Sequence, residues 1–151
     1  MAEDFLRIIK GEICPYCDCE TKLVKGEIIH PKKLTFVPRP LYLDKMFYQC
    51  INDPNHYVGT YSKDNKTSLG RLADTELRSW KSKGHRSFDP TWKELKIFKS
   101  QKEAYQWLSE KMEIPLEYTH FGMFTMEQCK QAIDLCEKLK SEIVSKTINA
   151  G

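Results

Sequence analysis

Cys14-Pro15-Tyr16-Cys17 sets two thiols three positions apart in one tight turn. That spacing lets two thiolates grip the same tetrahedral ion. A structural metal site needs a second pair, and Cys50-Ile-Asn-Asp-Pro-Asn-His56 offers one. Thiolate sulfur and imidazole nitrogen are both good zinc donors. Cys14, Cys17, Cys50 and His56 therefore make a chemically sound Cys3His set for one structural Zn2+. Four protein ligands close the shell and leave no position for a catalytic water. The same neighbourhood holds other sets. Cys19 can replace Cys17, or join it in a set without His56, and Asp53 or His30 can stand fourth. A redox reading of the C-x-x-C is weaker. Such motifs open a helix within a βαβ pattern, whereas polar turns and strands follow here.

The remaining candidates are weaker. Cys129 and Cys136 lie seven apart on an apolar helical line, where cysteine is ordinarily a core residue. His85 and His120 sit in short polar stretches and titrate near neutral pH, which makes each a possible functional histidine. Together with Asp89 they suggest a nuclease-like hydrolase as a further alternative. Yet the chain has no G-x-S-x-G, no H-E-x-x-H, no P-loop and no paired acidic motif, so the balance points away from catalysis. His30, beside Pro31, is expected to be exposed.

These side chains need elements to hold them. Lys22–Ile29, Leu34–Val37, Met46–Ile51 and Tyr57–Tyr61 read as short strands, rich in Val, Ile, Tyr and Phe and broken by Pro and Gly. Residues 5–60 as a whole read as strands and turns. Met46–Ile51 delivers Cys50, and Tyr57 begins the return strand. Pro31, Pro38 and Pro40 mark an extended connection between the two knuckles. Closure entropy grows only with the logarithm of loop length, so this long gap adds under ~1 kcal/mol.

From Leu69 the pattern turns helical. A first helix is expected from Arg71 to Lys83, stopped by Gly84. Its apolar side is Leu69, Leu72, Ala73, Leu77 and Trp80, with Arg71, Arg78 and Lys81 opposite. Asp89-Pro90 reads as the start of a short helix carrying Trp92, Leu95 and Phe98. Ser100 to Glu103 is a capping box for a third helix that buries Ala104, Trp107, Leu108 and Met112. Thr125 to Gln128 is a second box. It opens the longest helix, lined by Cys129, Ala132, Ile133, Cys136, Leu139 and Ile143, with fraying expected from Thr147. The expected fold class is α+β. A small zinc-ribbon-like antiparallel β module (residues 10–62) precedes a helical half of about four helices (residues 68–146), packed on it as one compact domain.

Composition agrees with a soluble globular chain: 151 residues, 40% hydrophobic and 30% charged. No run of about 18 apolar residues signals a membrane span, and the N-terminus is acidic at once, unlike a secretory signal. A cytoplasmic location is expected, where thiols stay reduced and bind metal rather than pair. The net charge of +3 is uneven. Residues 61–102 carry eleven Lys/Arg against five Asp/Glu. Such a segment can meet phosphates, and it can equally be a solvated face. Arg71, Arg78 and Lys81, with Tyr48 and Tyr61 as stacking surfaces, are the candidate nucleic-acid contacts. Single-stranded DNA or RNA is the expected partner. A protein-binding adaptor acting on a host protein is the alternative.

Two resemblances sharpen this reading. The second knuckle, Cys50 to His56 with Pro54 two places before the last ligand, resembles the zinc ribbons of type I topoisomerases, with His56 where a Cys usually stands. A wider likeness rests on Cys14-Pro-Tyr-Cys17, Tyr57-Val-Gly59, Leu69-Gly-Arg-Leu-Ala73 and Glu76-Leu-Arg78. It continues through Phe88-Asp-Pro-Thr-Trp92, Glu103-Ala-Tyr-Gln-Trp-Leu108, His120-Phe-Gly-Met-Phe124 and Glu127-Gln-Cys129. Over roughly residues 12–136 these motifs resemble the bacterial and phage zinc-finger-containing domain family of unknown function. The resemblance implies zinc binding and an origin in phages or prophages, with no established activity.

Overall fold

Alternating apolar and β-branched residues in the first half pair into one antiparallel sheet of order β1-β2-β3-β4. Its strands are β1 (Ile13–Cys14), β2 (Cys19–Lys25), β3 (Met46–Cys50) and β4 (Tyr57–Gly59). The computed structural model describes residues 2–30 and 45–150, with side chains within 4–30 and 45–146. The expected strand Leu34–Val37, with Pro31, Pro38 and Pro40, lies outside the described residues. The chain divides into two compact units, residues 1–76 and 77–151. The α+β expectation holds, with the sheet in the first unit and the long helices in the second.

Register fixes which side chains share a face. Leu23 pairs with Tyr48, and Tyr48 with Val58, while Thr21 pairs with Cys50. With a period of two, Thr21, Leu23, Tyr48, Cys50 and Val58 share one face of the sheet. Cys14, Cys50, Val58 and Leu72 form a buried cluster, with Cys17, Cys19, Tyr48 and Leu69 packed against it. Phe47 points the other way, and there His30 meets Phe47 and Tyr57 edge-on, at 5.7 and 6.0 Å between ring centroids. His30 is therefore half-buried rather than exposed. Its amide donates to Gly26, closing a single helical turn, α2 (Gly26–Ile29), that ends the expected strand Lys22–Ile29 at Lys25.

Residues before the first knuckle are not turns and strand but a helix, α1 (Ala2–Ile9), which ends at Gly11 in the left-handed region with φ +77°. Leu69 to Ala73 is not the start of a helix. The Leu69 amide donates to Gly59 and the Ala73 amide to Tyr57, so this stretch lies beside β4. Donors used there cannot also bond four residues back within a helix. The helix α3 accordingly runs Thr75–Phe88, leaving Arg71 ahead of it.

In the second unit, α3 passes through Gly84 instead of stopping there. A Cβ on Gly84 would collide with the Phe121 ring, so glycine is present for close approach and not as a cap. Past α3, Asp89–Thr91 forms one 3-10 turn with Pro90 at its start. No helix carries Trp92 to Phe98, because the amides of Ile97 and Phe98 both return to the Thr91 carbonyl. The second capping box is formed in full, and the first is formed with its return bond shifted by one residue. Ser100 Oγ accepts from the Glu103 amide at the start of α4 (Gln101–Met112), while the Glu103 carboxylate takes the Lys99 amide. Thr125 and Gln128 bond reciprocally ahead of α5 (Met126–Ala150). Ala104, Leu108, Met112, Cys129, Ala132 and Cys136 are buried, whereas Trp107 is only half-buried. Phe88 joins the same core through rings on Tyr105 (4.5 Å) and Phe121 (5.5 Å). Ile143 is exposed, and the helix continues past Thr147 to Ala150. Among the described residues no helix is long and apolar enough to cross a membrane.

Candidate metal centre

The first knuckle is a reverse turn between β1 and β2. Cys14 and Cys19 face each other across the pair, and the Asp18 amide donates to the Cys14 carbonyl at 2.8 Å. Asp18 takes a left-handed conformation (φ +53°) that brings the chain around after Cys17. Asp tolerates that region better than most residues because its short polar side chain bonds locally. The second knuckle closes at the end of β3. The Cys50 amide donates to the His56 carbonyl (2.9 Å) and the His56 amide to Asp53 (3.1 Å). Asp53 Oδ1 also accepts from the Asn55 amide at 2.9 Å, and Gln49 Nε2 donates to the Pro54 carbonyl at 3.0 Å.

These turns bring one ligand atom each from Cys14, Cys17, Cys50 and His56 within 4.8 Å of one another. Among the described residues this is the one group of three or more Cys, His, Asp or Glu side chains so placed. His56 Nδ1 stands 3.5 Å from Cys14 Sγ and 3.6 Å from Cys17 Sγ. Around a tetrahedral zinc with Zn–S about 2.3 Å and Zn–N about 2.05 Å, the sulfur-to-nitrogen edge is about 3.5 Å. The donor set fits zinc in type, number and spacing.

Its surroundings suit a cation. The amides of Asn52 and Asp53 both point at Cys50 Sγ, each at 3.3 Å. Burial pushes against ionisation of Cys50, but those donors outweigh it and hold the thiol down at about 6. Burial raises Cys14, and it pushes Cys17 up to about 12 with the neighbouring sulfurs adding to the effect. A cluster of thiols that resists full ionisation on its own is one that a dication would deprotonate. His56 turns its other nitrogen, Nε2, toward Asp53 Oδ2 at 3.5 Å. Asp53 thus orients the ring from outside the ligand set, a common arrangement for metal-bound imidazole. Tyr16 lies over the same ring, 4.4 Å between centroids, and its hydroxyl oxygen accepts from the Asp74 amide at 3.2 Å. The sequence contained a hint of Tyr16 in the aromatic within the C-x-x-C, but nothing marked Asp74 as its partner.

The other candidate side chains sit elsewhere. Tyr48 donates its hydroxyl to the Lys66 carbonyl at 2.7 Å, so its ring props a hairpin. Lys81 Nζ donates to the Gly122 carbonyl at 2.9 Å. Because Arg71 precedes α3, it does not share a helix face with Arg78 and Lys81. His85 Nδ1 faces Asp89 Oδ2 at 3.7 Å and its ring packs on Phe121. His120 packs on Tyr105, and burial lowers its pKa. His85, Asp89 and His120 do not form a metal-binding group of the kind made by the knuckles.

Tyr61 is the candidate whose ring faces solvent, 37% exposed. It belongs to a hairpin whose ends are Thr60 and Ser68. Asp64 holds the tip by accepting from the amides of Lys66 (2.9 Å) and Thr67 (3.0 Å). Asn65 Oδ1 accepts from the Met46 amide and the Thr60 hydroxyl, tying the tip to the sheet. Lys63 Nζ lies 5.9 Å from the Tyr61 ring centre, and sequence reading missed it because no periodic pattern runs through a turn. The Thr67 hydroxyl, followed by the two amides, holds the Asp64 carboxyl down at about 2. Its folded value lies below the unfolded one of about 3.9, so its contribution is full above that pH and is lost as pH falls through the lower value. The Lys66 and Thr67 amide resonances are expected to titrate with a midpoint near 2 and to be unchanged at pH 5. A midpoint near an ordinary carboxyl value would mean that this turn is open in solution.

No curated protein and no solved structure matched the chain. A family model described as a zinc-finger-containing domain matches residues 10–139, a span that holds both knuckles, the hairpin and most of the helical unit. With that coverage and a Cys3His cluster at its two knuckles, the chain belongs to the zinc-finger-containing domain family.

Proposed function

We propose that the chain is a nucleic-acid-binding module folded around one structural zinc ion, held by Cys14, Cys17, Cys50 and His56. When bound, zinc supplies a rigid link between the knuckles and no chemistry, because its four positions are filled by protein. The observation that carries the nucleic-acid reading is the hairpin at Thr60–Ser68. It offers an exposed Tyr61 ring on a hydrogen-bonded turn, flanked by the exposed side chains of Lys63 and Lys66. A rigid aromatic face beside ammonium groups is what unpaired bases and their phosphates need, and stacking tolerates any base. Single-stranded DNA or RNA is therefore preferred over a duplex, whose bases are already stacked.

The test is a fluorescence-anisotropy titration of labelled single strands at low salt. Tyr61→Ala is expected to weaken binding by roughly 5- to 150-fold, the equivalent of about 1–3 kcal/mol for one stacked base. Lys63→Glu with Lys66→Glu is expected to flatten the salt dependence by roughly one to two units of slope. No affinity for any single strand at low salt would sink this reading. The apolar residues beside the knuckles, Tyr16 (43% exposed) and Ile51 (53% exposed), would then favour a protein partner.

A further inference from the structure

We propose that Cys19 is a peroxide-sensitive modification site that closes onto Cys50 as a disulfide and so expels the metal. This rests on the zinc reading above. Cys19 is the fourth sulfur, and the fifth potential donor, at a site whose tetrahedral set needs only four donors, and it lies outside the group that meets within 4.8 Å. Even so, its Sγ stands 3.3 Å from Cys50 Sγ.

The sheet register explains that contact. Thr21 pairs with Cys50, so Cys19, two residues back along β2, projects from the same face as the diagonal neighbour of Cys50. Closure needs the two sulfurs to move from 3.3 Å to the roughly 2.05 Å of an S–S bond. Cys19 is part-exposed, whereas Cys50 is 2% exposed, so a small oxidant reaches the pair from the Cys19 side. Cys129 and Cys136 are fully buried in the other unit and have no such access.

The step balances with a hydroperoxide as oxidant. One sulfur gives an electron pair to a peroxide oxygen, breaking the O–O bond and forming a sulfenic acid with release of water. The neighbouring thiolate attacks that sulfur, and hydroxide leaves and takes up a proton. In sum, two thiols and one hydrogen peroxide give one disulfide and two waters, with the proton that zinc had displaced from Cys50 supplied by solvent. Three donors remain for the ion, which falls below a closed structural set.

The experiment treats the zinc-loaded full chain with hydrogen peroxide, follows free zinc with a metal-binding dye, and maps disulfides by peptide mass spectrometry. The starting zinc content is measured first. A chain without zinc at that stage fails the zinc reading itself, separately from this one. The expected result is zinc release in step with a Cys19–Cys50 linkage, reversed by dithiothreitol with added zinc. Release from Cys19→Ser should be about tenfold slower or more. Cys136→Ser should behave as the wild type, controlling for nonspecific thiol loss. Release from Cys19→Ser at the wild-type rate, or a linkage confined to Cys14 and Cys17, would overturn the proposal.

Discussion

Stripping the metal with a strong chelator is expected to unfold residues 1–76 and to leave the helices of residues 77–151 formed. The reason lies in the composition of the first unit's core. Of its buried cluster of Cys14, Cys50, Val58 and Leu72, two members belong to the proposed zinc-binding set, and Cys17 packs against the same cluster. Without the ion those thiols are poor substitutes for aliphatic side chains, and the knuckle turns lose the bond that closes them. Structural zinc contributes on the order of 10–16 kcal/mol to small zinc modules, comparable with the total stability of an ordinary domain of about 5–15 kcal/mol. The second unit keeps a core of Phe88, Leu108, Phe121, Phe124 and Ala132, none of which belongs to the Cys3His set. Amide hydrogen exchange resolves the two. Protection in β2 and β3 should fall to that of an unfolded chain, while α4 and α5 stay protected. Persistent protection of the sheet in excess chelator would show that the strands stand without metal.

Gly84→Ala is expected to destabilise the helical unit, against the ordinary preference of a helix. In an exposed helix interior the same change stabilises by about 1 kcal/mol, because glycine loses the most backbone entropy on folding. At Gly84 the added methyl would meet the Phe121 ring, which is itself packed against Phe88, Phe124 and His85. A ring held on several sides cannot move aside cheaply, so overpacking of about 1–3 kcal/mol outweighs the propensity gain. Denaturant melts of the helical signal measure the sign. A lower midpoint with an unchanged slope is the expected result, and a higher midpoint would show that the ring has room to retreat.

These two effects also mark where the sequence is informative and where it is not. The knuckles and the capping boxes are local devices, and their residues lie within a few positions of one another. Cys14 with Cys17, Ser100 with Glu103, and Thr125 with Gln128 could therefore be read from spacing alone. The α+β class followed from the change of period near Leu69. What spacing could not supply was the partner of each segment. Leu69, Leu72 and Ala73 have helical spacing, yet the β4 backbone takes the Leu69 and Ala73 amides. Gly84 has the look of a helix stop until the Phe121 ring is placed beside it. His30 seemed exposed because the aromatic rings that cover it, Phe47 and Tyr57, are distant in sequence. The short helix α1 lacked an N-terminal signal, although Gly11 stood where a helix end often has one. At the metal centre, donor types and spacing were legible. The role of Asp53 beside His56 emerges only from the fold of the second knuckle, and the approach of Cys19 to Cys50 only from the register of β2 with β3.

The absorption spectrum of the cobalt-loaded chain tests the Cys3His site most directly, because it counts thiolates and reports geometry together. Strong visible bands of tetrahedral cobalt and near-ultraviolet charge transfer from three thiolates are expected. That intensity should fall in Cys50→Ser and stay unchanged in Cys19→Ser. Weak bands of a six-coordinate ion, or equal losses in Cys50→Ser and Cys19→Ser, would contradict a tetrahedral site built from Cys14, Cys17, Cys50 and His56.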